Sequence, residues 1–177
     1  MKLNQVGVTL LELLIVVAIV GILASIAAPS VKRWVDEGRL TGAAEDLSGM
    51  LYYARSESLA RNADVYVDID GQGTTSWCVG VSTGNYCSCS TGVPACELST
   101  LGGAASASSK SLDGSIFQVV TLTAPTQQWV IETPRGLVTA PSTLTLSHPD
   151  VGEVKLEVNK LGRLKVCSDA MSLYSDC

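Results

Sequence analysis

The hydrophobic pattern takes three forms along the chain. From Val8 to Ala28 the sequence reads VTLLELLIVVAIVGILASIAA, an apolar run with a single charge, Glu12. As a helix rising about 1.5 Å per residue it reaches roughly 30 Å, the hydrocarbon thickness of a bilayer. Beyond Pro29 the apolar positions thin to a stripe. Leu40, Ala44, Leu47, Leu51 and Ala54 recur at spacings of three and four, which is one face of a helix. Asp36, Glu37, Glu45 and Arg61 are expected off that stripe. Together the two stretches predict one helix from about Val8 to Arg61, bent or loosened at Pro29, Gly38 and Gly42.

After Asn62 the period falls to two. Val65, Val67 and Ile69 alternate with Tyr66 and Asp68, and Asp70-Gly71-Gln72-Gly73 supplies a turn. Further strands are predicted over Trp77–Val81, Ser115–Leu122, Gln128–Glu132, Thr143–Ser147, Glu153–Val158 and Arg163–Val166. No helical pattern separates the later ones, so antiparallel pairing is expected. Between Ser82 and Ser111 the chain is rich in Gly, Ser, Ala and Cys and reads as a long surface loop. A long helix followed by a β-rich region is an α+β architecture.

Three readings compete for the apolar run. Lys2, the run itself and Ser25-Ile26-Ala27 imitate the regions of a secretory signal peptide, but Glu12 interrupts what should be purely apolar. Glu12 is equally awkward in a plain membrane anchor, because a carboxylate at mid-bilayer costs about 2.5–3.5 kcal/mol on insertion scales. The third reading gives the acid a purpose. Gly7-Val8-Thr9-Leu10-Leu11-Glu12 resembles the processing site of type IV prepilins and pseudopilins.

That resemblance implies a leader peptide, residues 1–7, cut after Gly7 on the cytoplasmic side by a prepilin peptidase, with N-methylation of the new amino terminus, Val8. It implies that Glu12 pairs with the amino terminus of a neighbouring subunit. Two charges that are each costly to bury alone then offset one another. Gly21 and Pro29 also fall where pilin helices carry Gly and Pro; Val8 departs from the usual Phe. The implied organisation is a transmembrane and filament-core helix over 8–30, an amphipathic half-helix over 31–62, and a β-rich pilin domain over 63–177. The segment AEDLSGMLYYARSESLARN, Ala44–Asn62, narrows the likeness to the minor-pilin group of FimT and FimU, together with the H pseudopilin of type II secretion. Pro29 and the IVVAIVGILASIAAPS run are more similar to pilus proteins than to secretion pseudopilins.

Composition and charge then remove alternatives. The chain has 177 residues and a net charge of −5, which leaves room for one ordinary domain and argues against a protein that coats nucleic acid over its whole surface. Its 46% apolar content excludes a disordered tail. There is one histidine, His148, in a Ser-His-Pro-Asp stretch that reads as an exposed turn. No nucleophile-elbow or phosphate-cradling motif is present, so no enzymatic activity and no cofactor are expected.

The six cysteines, Cys78, Cys87, Cys89, Cys96, Cys167 and Cys177, all follow the apolar run. If Lys2 stays inside the cell, they face the oxidising periplasm and should pair, in any of fifteen ways. The resemblance to pilins favours Cys167 with Cys177, pinning the C-terminal tail, and two bridges among the other four. A zinc site at Cys87, Cys89 and Cys96 is disfavoured, because Cys87 and Cys89 are separated by one residue where zinc motifs use two to four.

One basic cluster stands out. Lys155, Lys160, Arg163 and Lys165 fall within eleven positions, and Lys160-Leu161-Gly162 reads as the turn of a terminal hairpin. Gly162-Arg163-Leu164-Lys165 is similar to a Gly-Arg-any-Arg motif that in the FimT group is associated with DNA binding during uptake, with Lys in place of the second Arg. Lys keeps the attraction to phosphate but loses the bidentate fork. Glu153 and Glu157 lie nearby, and alternating charge on a strand also serves solubility and edge protection.

The resemblance therefore implies a minor pilin, inserted in the inner membrane with its C-terminal domain periplasmic and then incorporated in, or priming, a pilus filament. Its partners would be other pilins, the peptidase and, through Lys160, Arg163 and Lys165, double-stranded DNA in natural transformation. The alternative is the H-type pseudopilin of a type II secretion system.

Overall fold

The computed structural model describes residues 9–84, 86–91, 95–98 and 108–177, with the side chains of 28, 29, 108 and 109 left aside. Lys2, Gly7 and Val8 lie outside the described residues. The chain divides into two compact units, Met1–Val35 and Asp36–Cys177. One helix, α1 (Leu10–Arg61), runs through both.

In the first unit α1 starts on Thr9. The Thr9 hydroxyl accepts the backbone N–H of Glu12 at 3.2 Å, and the Thr9 carbonyl accepts that of Leu13 at 3.2 Å. Thr9 is thus the N-cap and Glu12 the third helical position, where a carboxylate also favours the positive end of the helix dipole. Every Leu, Ile and Val from Leu10 to Ile26 exposes more than half of its surface. An apolar helix with no buried face is suited to a lipid or protein environment rather than to water. Helical structure continues without interruption across Pro29, Gly38 and Gly42, so the loosening expected there does not break the element.

In the second unit the stripe predicted from the sequence is the buried face. Leu40, Ala43, Ala44, Leu47, Leu51 and Ala54 are nearly inaccessible. They share one core with Val65, Val67, Val79, Trp129, Leu144 and Leu156 from the strands. The first sheet comprises β1 (Val65–Asp70), β2 (Cys78–Ser82), β3 (Glu97–Leu98), β4 (Ser108–Asp113), β6 (Gln128–Glu132) and β7 (Leu137–Val138), in the order β3-β4-β2-β1-β6-β7. The second comprises β5 (Thr121–Thr123), β8 (Ser142–His148), β9 (Gly152–Val158) and β10 (Leu164–Cys167), in the order β10-β9-β8-β5. Their strand pairs are antiparallel, and short hairpin connections join β1 to β2, β6 to β7, β8 to β9 and β9 to β10. The architecture is α+β, a long N-terminal helix packed on antiparallel sheets.

Four expectations are corrected. Ser115–Leu122 is not one strand. Asp113 caps a 3-10 turn, Gly114–Ile116, by accepting the Ser115 N–H, and only Thr121–Thr123 pairs in a sheet. The Trp77 ring packs so closely on that turn that only glycine fits at 114, where a Cβ would fall 2.1 Å from the ring. The Ser82–Ser111 loop contains β3 and most of β4, which extend the sheet from β2 although their polar residues show no alternation. Asp36 lies on the stripe rather than off it, buried to 3% exposure and paired with Arg39 at 2.9 Å. His148 is not an exposed turn residue but the last of β8, 3% exposed, with Nε2 3.7 Å from Asp36.

Candidate functional site

The residues singled out from the sequence fall in separate places. Glu12 belongs to the first unit, at the capped start of α1. The expected cleavage and methylation site, Gly7 and Val8, lies outside the described residues. Glu12 is the single charged residue of the apolar run.

The basic cluster belongs to the second unit, on the hairpin between β9 and β10. Asn159 organises the turn. Its N–H donates to the Arg163 carbonyl at 3.0 Å, its side-chain oxygen accepts the Arg163 N–H at 2.9 Å, and its carbonyl accepts the Gly162 N–H at 2.9 Å. Gly162 takes φ +68°, a left-handed conformation that favours glycine. A Cβ there would also lie 2.9 Å from the Gly136 carbonyl and 3.1 Å from Arg55 Nε.

Arg55, in the YARSES segment of α1, donates from Nη1 to the Gly162 carbonyl at 3.1 Å. The Val138 N–H of β7 donates to the Lys160 carbonyl at 3.0 Å. The hairpin is therefore held from α1 and from β7. Sequence reading missed Arg55 and Thr9. Thr9-Leu10-Leu11-Glu12 carries the spacing of a capping box and could have revealed Thr9. No local pattern could have linked Arg55 to a residue 107 positions away.

Lys160, Arg163 and Lys165 are exposed. Arg163 and Lys165 line one open concavity together with Ser142, Thr143 and Glu157. The positive charge is diluted there, because Lys165 sits directly across the ladder from Glu157, and Lys155 pairs with Asp169 at 3.9 Å. Chemically this surface can attract phosphate without specifying a base.

The cysteines form three bridges: Cys78–Cys89, Cys87–Cys96 and Cys167–Cys177. The first two close a loop that is also tied to β1, with Asp68 accepting the Cys87 N–H at 3.1 Å and Asp70 accepting the Ser88 hydroxyl at 2.9 Å. Burial raises the Asp68 pKa above the ordinary value of 3.8, against the lowering effect of hydrogen bonds from Gln128 and Cys87. Asp70, Cys78 and Cys89 lie close enough to hold a metal ion, but both sulfurs belong to one disulfide and so are not thiolate ligands.

Comparison with known proteins agrees with this architecture. A sequence profile of the family described as "Type II transport protein GspH" matches residues 43–162, and one described as "Prokaryotic N-terminal methylation motif" matches residues 3–28. No curated protein sequence matches the chain significantly. Among solved structures, a crystal form of the type IV minor pilin FimU from Pseudomonas aeruginosa is similar at 16% identity and TM-score 0.53, covering 78% of this chain and 95% of that one. A second crystal form of FimU gives 17% identity and TM-score 0.49, with 75% and 95% covered. The family match spans α1 from Ala43 with its YARSES segment, strands β1 to β9, and the hairpin as far as Gly162. The chain belongs to the GspH/FimT family of type IV minor pilins and pseudopilins.

Proposed function

We propose that the chain is a minor subunit of a type IV pilus, cut after Gly7, methylated on Val8 and passed from the membrane into a filament. The observation that carries this reading is the first unit. Its apolar run between Thr9 and Val31 is exposed on every described face of the helix, and the single charge of that run, Glu12, sits at the start. Such a helix needs either lipid or other helices around it, and an acid inside that environment needs a cationic partner. A neighbouring subunit with a free amino terminus supplies both. Orientation with the disulfide-bonded unit in the periplasm agrees with the three bridges.

The family description names type II transport, and the fold is common to pilus and secretion subunits. The choice of a pilus rests on Pro29 and the run before it. A tagged full-length chain tests it: the tag is expected in filaments sheared from the cell surface, with protein secretion intact when the gene is disrupted. Loss of secretion with tag-free filaments would move the chain to a type II pseudopilus.

A second reading, DNA capture, is favoured by Arg163 and Lys165 lining the same open concavity. Titration of the disulfide-bonded unit with duplex DNA at two salt concentrations tests it. Binding that weakens with salt, and that the Arg163→Ala/Lys165→Ala double variant loses, supports it. With two phosphate contacts removed, the slope of log affinity against log salt is expected to fall by about two. No binding at low salt leaves the hairpin as charged surface and the chain as an assembly subunit.

A further inference from the structure

The charge pattern of α1 breaks sharply after Val31. Between Thr9 and Val31 the only charged residue is Glu12, whereas Lys32, Arg33, Asp36, Glu37 and Arg39 follow within eight positions. Inside the first turn of that polar stretch stands Trp34, 73% exposed. Val31, 56% exposed, lies three positions before Trp34 and four before Val35, 39% exposed, so it neighbours both along the helix and the three continue the apolar surface of the run. From this placement we infer that Trp34 is an interfacial anchor, seating its indole in the headgroup layer of the bilayer at the C-terminal end of the span before the subunit enters a filament. The inference rests on the membrane-inserted state proposed above.

The dimensions favour a lipid surface. Val8–Ala28 fills the hydrocarbon core, and Trp34 follows Ala28 by six residues, about 9 Å along the axis. The headgroup layer is about 5–8 Å thick on each side. Helical side chains tilt toward the N-terminus, so the indole swings back from its own Cα into that layer. An indole suits this boundary, with an apolar ring for the acyl side and an N–H for the wet side. Lys32 and Arg33 place two positive charges at the same level, where lipid phosphates lie. A purely apolar contact with a neighbouring helix would call for none of these polar features.

The chain contains its own probe. Of its three tryptophans, Trp77 and Trp129 are buried in the second unit, at 0% and 2% exposure, so lipid-borne quenchers reach Trp34 alone. The experiment uses the full chain in phosphatidylcholine–phosphatidylglycerol vesicles, with bromine near the headgroup or near the acyl-chain end. Shallow bromine is expected to quench the emission share of one tryptophan in three, deep bromine less than half as much, and Trp34→Phe to remove the effect. Equal or stronger quenching by deep bromine overturns the inference. So does absence of quenching while the chain still floats with the vesicles, which leaves the membrane reading intact. A chain that does not float overturns both. Shielding of Trp34 that grows with the protein-to-lipid ratio would assign the face to a second copy of the chain instead.

Discussion

At Gly162 the backbone takes φ +68° with the Gly136 carbonyl and Arg55 packed against the position a Cβ would occupy. Gly162→Ala is therefore expected to destabilise the second unit by about 1–3 kcal/mol, read as a lower denaturant midpoint. Arg55→Lys should cost less than Arg55→Ala, because an ammonium can still donate to the Gly162 carbonyl while Ala leaves it without the Arg55 bond. Asp68 gives a pH prediction. Its folded pKa is raised above 3.8, chiefly by burial, so the folded state holds the proton more tightly than the unfolded chain. The charged form therefore weakens the fold at neutral pH, and the penalty fades as the pH falls toward 3.8. Measured against Asp68→Asn, the parent chain is expected to gain relative stability on acidification. A constant difference between the two across that range would contradict the assignment.

At the scale of elements, the tail after β10 is held by the Cys167–Cys177 bridge, by the Ser168 hydroxyl donating to the Glu153 carbonyl at 2.6 Å, and by the buried Met171. Replacing both cysteines by serine frees a ten-residue loop and is expected to cost about 2–3 kcal/mol, with faster proteolysis of the tail as the second readout. The elements with strong periodicity were legible in the sequence. The α1 stripe recurs every three or four residues, and β1, β6, β8 and β9 alternate apolar and polar side chains, because each lays one face on a shared core. What escaped has no such signal. β4, Ser-Ser-Lys-Ser-Leu-Asp, is held by pairing with β2 rather than by apolar alternation, and β7 spans two residues only. Asp36 looked like a solvated acid because Arg39, one helix turn along, pairs with it either way, whereas His148, which packs beside it, lies more than a hundred residues away. The family resemblance was carried by short contiguous motifs, and these were readable. The hairpin's anchorage on Arg55 was not, since it joins α1 to β9–β10 across the chain.

The whole molecule joins two units with opposite surface chemistry. Met1–Val35 carries an apolar helix exposed on all sides, and Asp36–Cys177 buries its apolar residues in one core under three disulfides. The second buries its apolar residues and the first does not, so the proposed assembly is tested in the first. Within it Glu12 has two candidate roles, support of the helix start and charge pairing with a neighbouring subunit. Glu12→Gln separates them, because Gln keeps the capping-box geometry with Thr9 and removes the charge. The most direct test is the amount of Glu12→Gln chain in sheared filaments against the amount in the membrane fraction. A variant that remains in the membrane and is lost from filaments is the predicted result. Incorporation equal to that of the parent chain would contradict the account of Glu12 as the charge that draws one subunit onto the next.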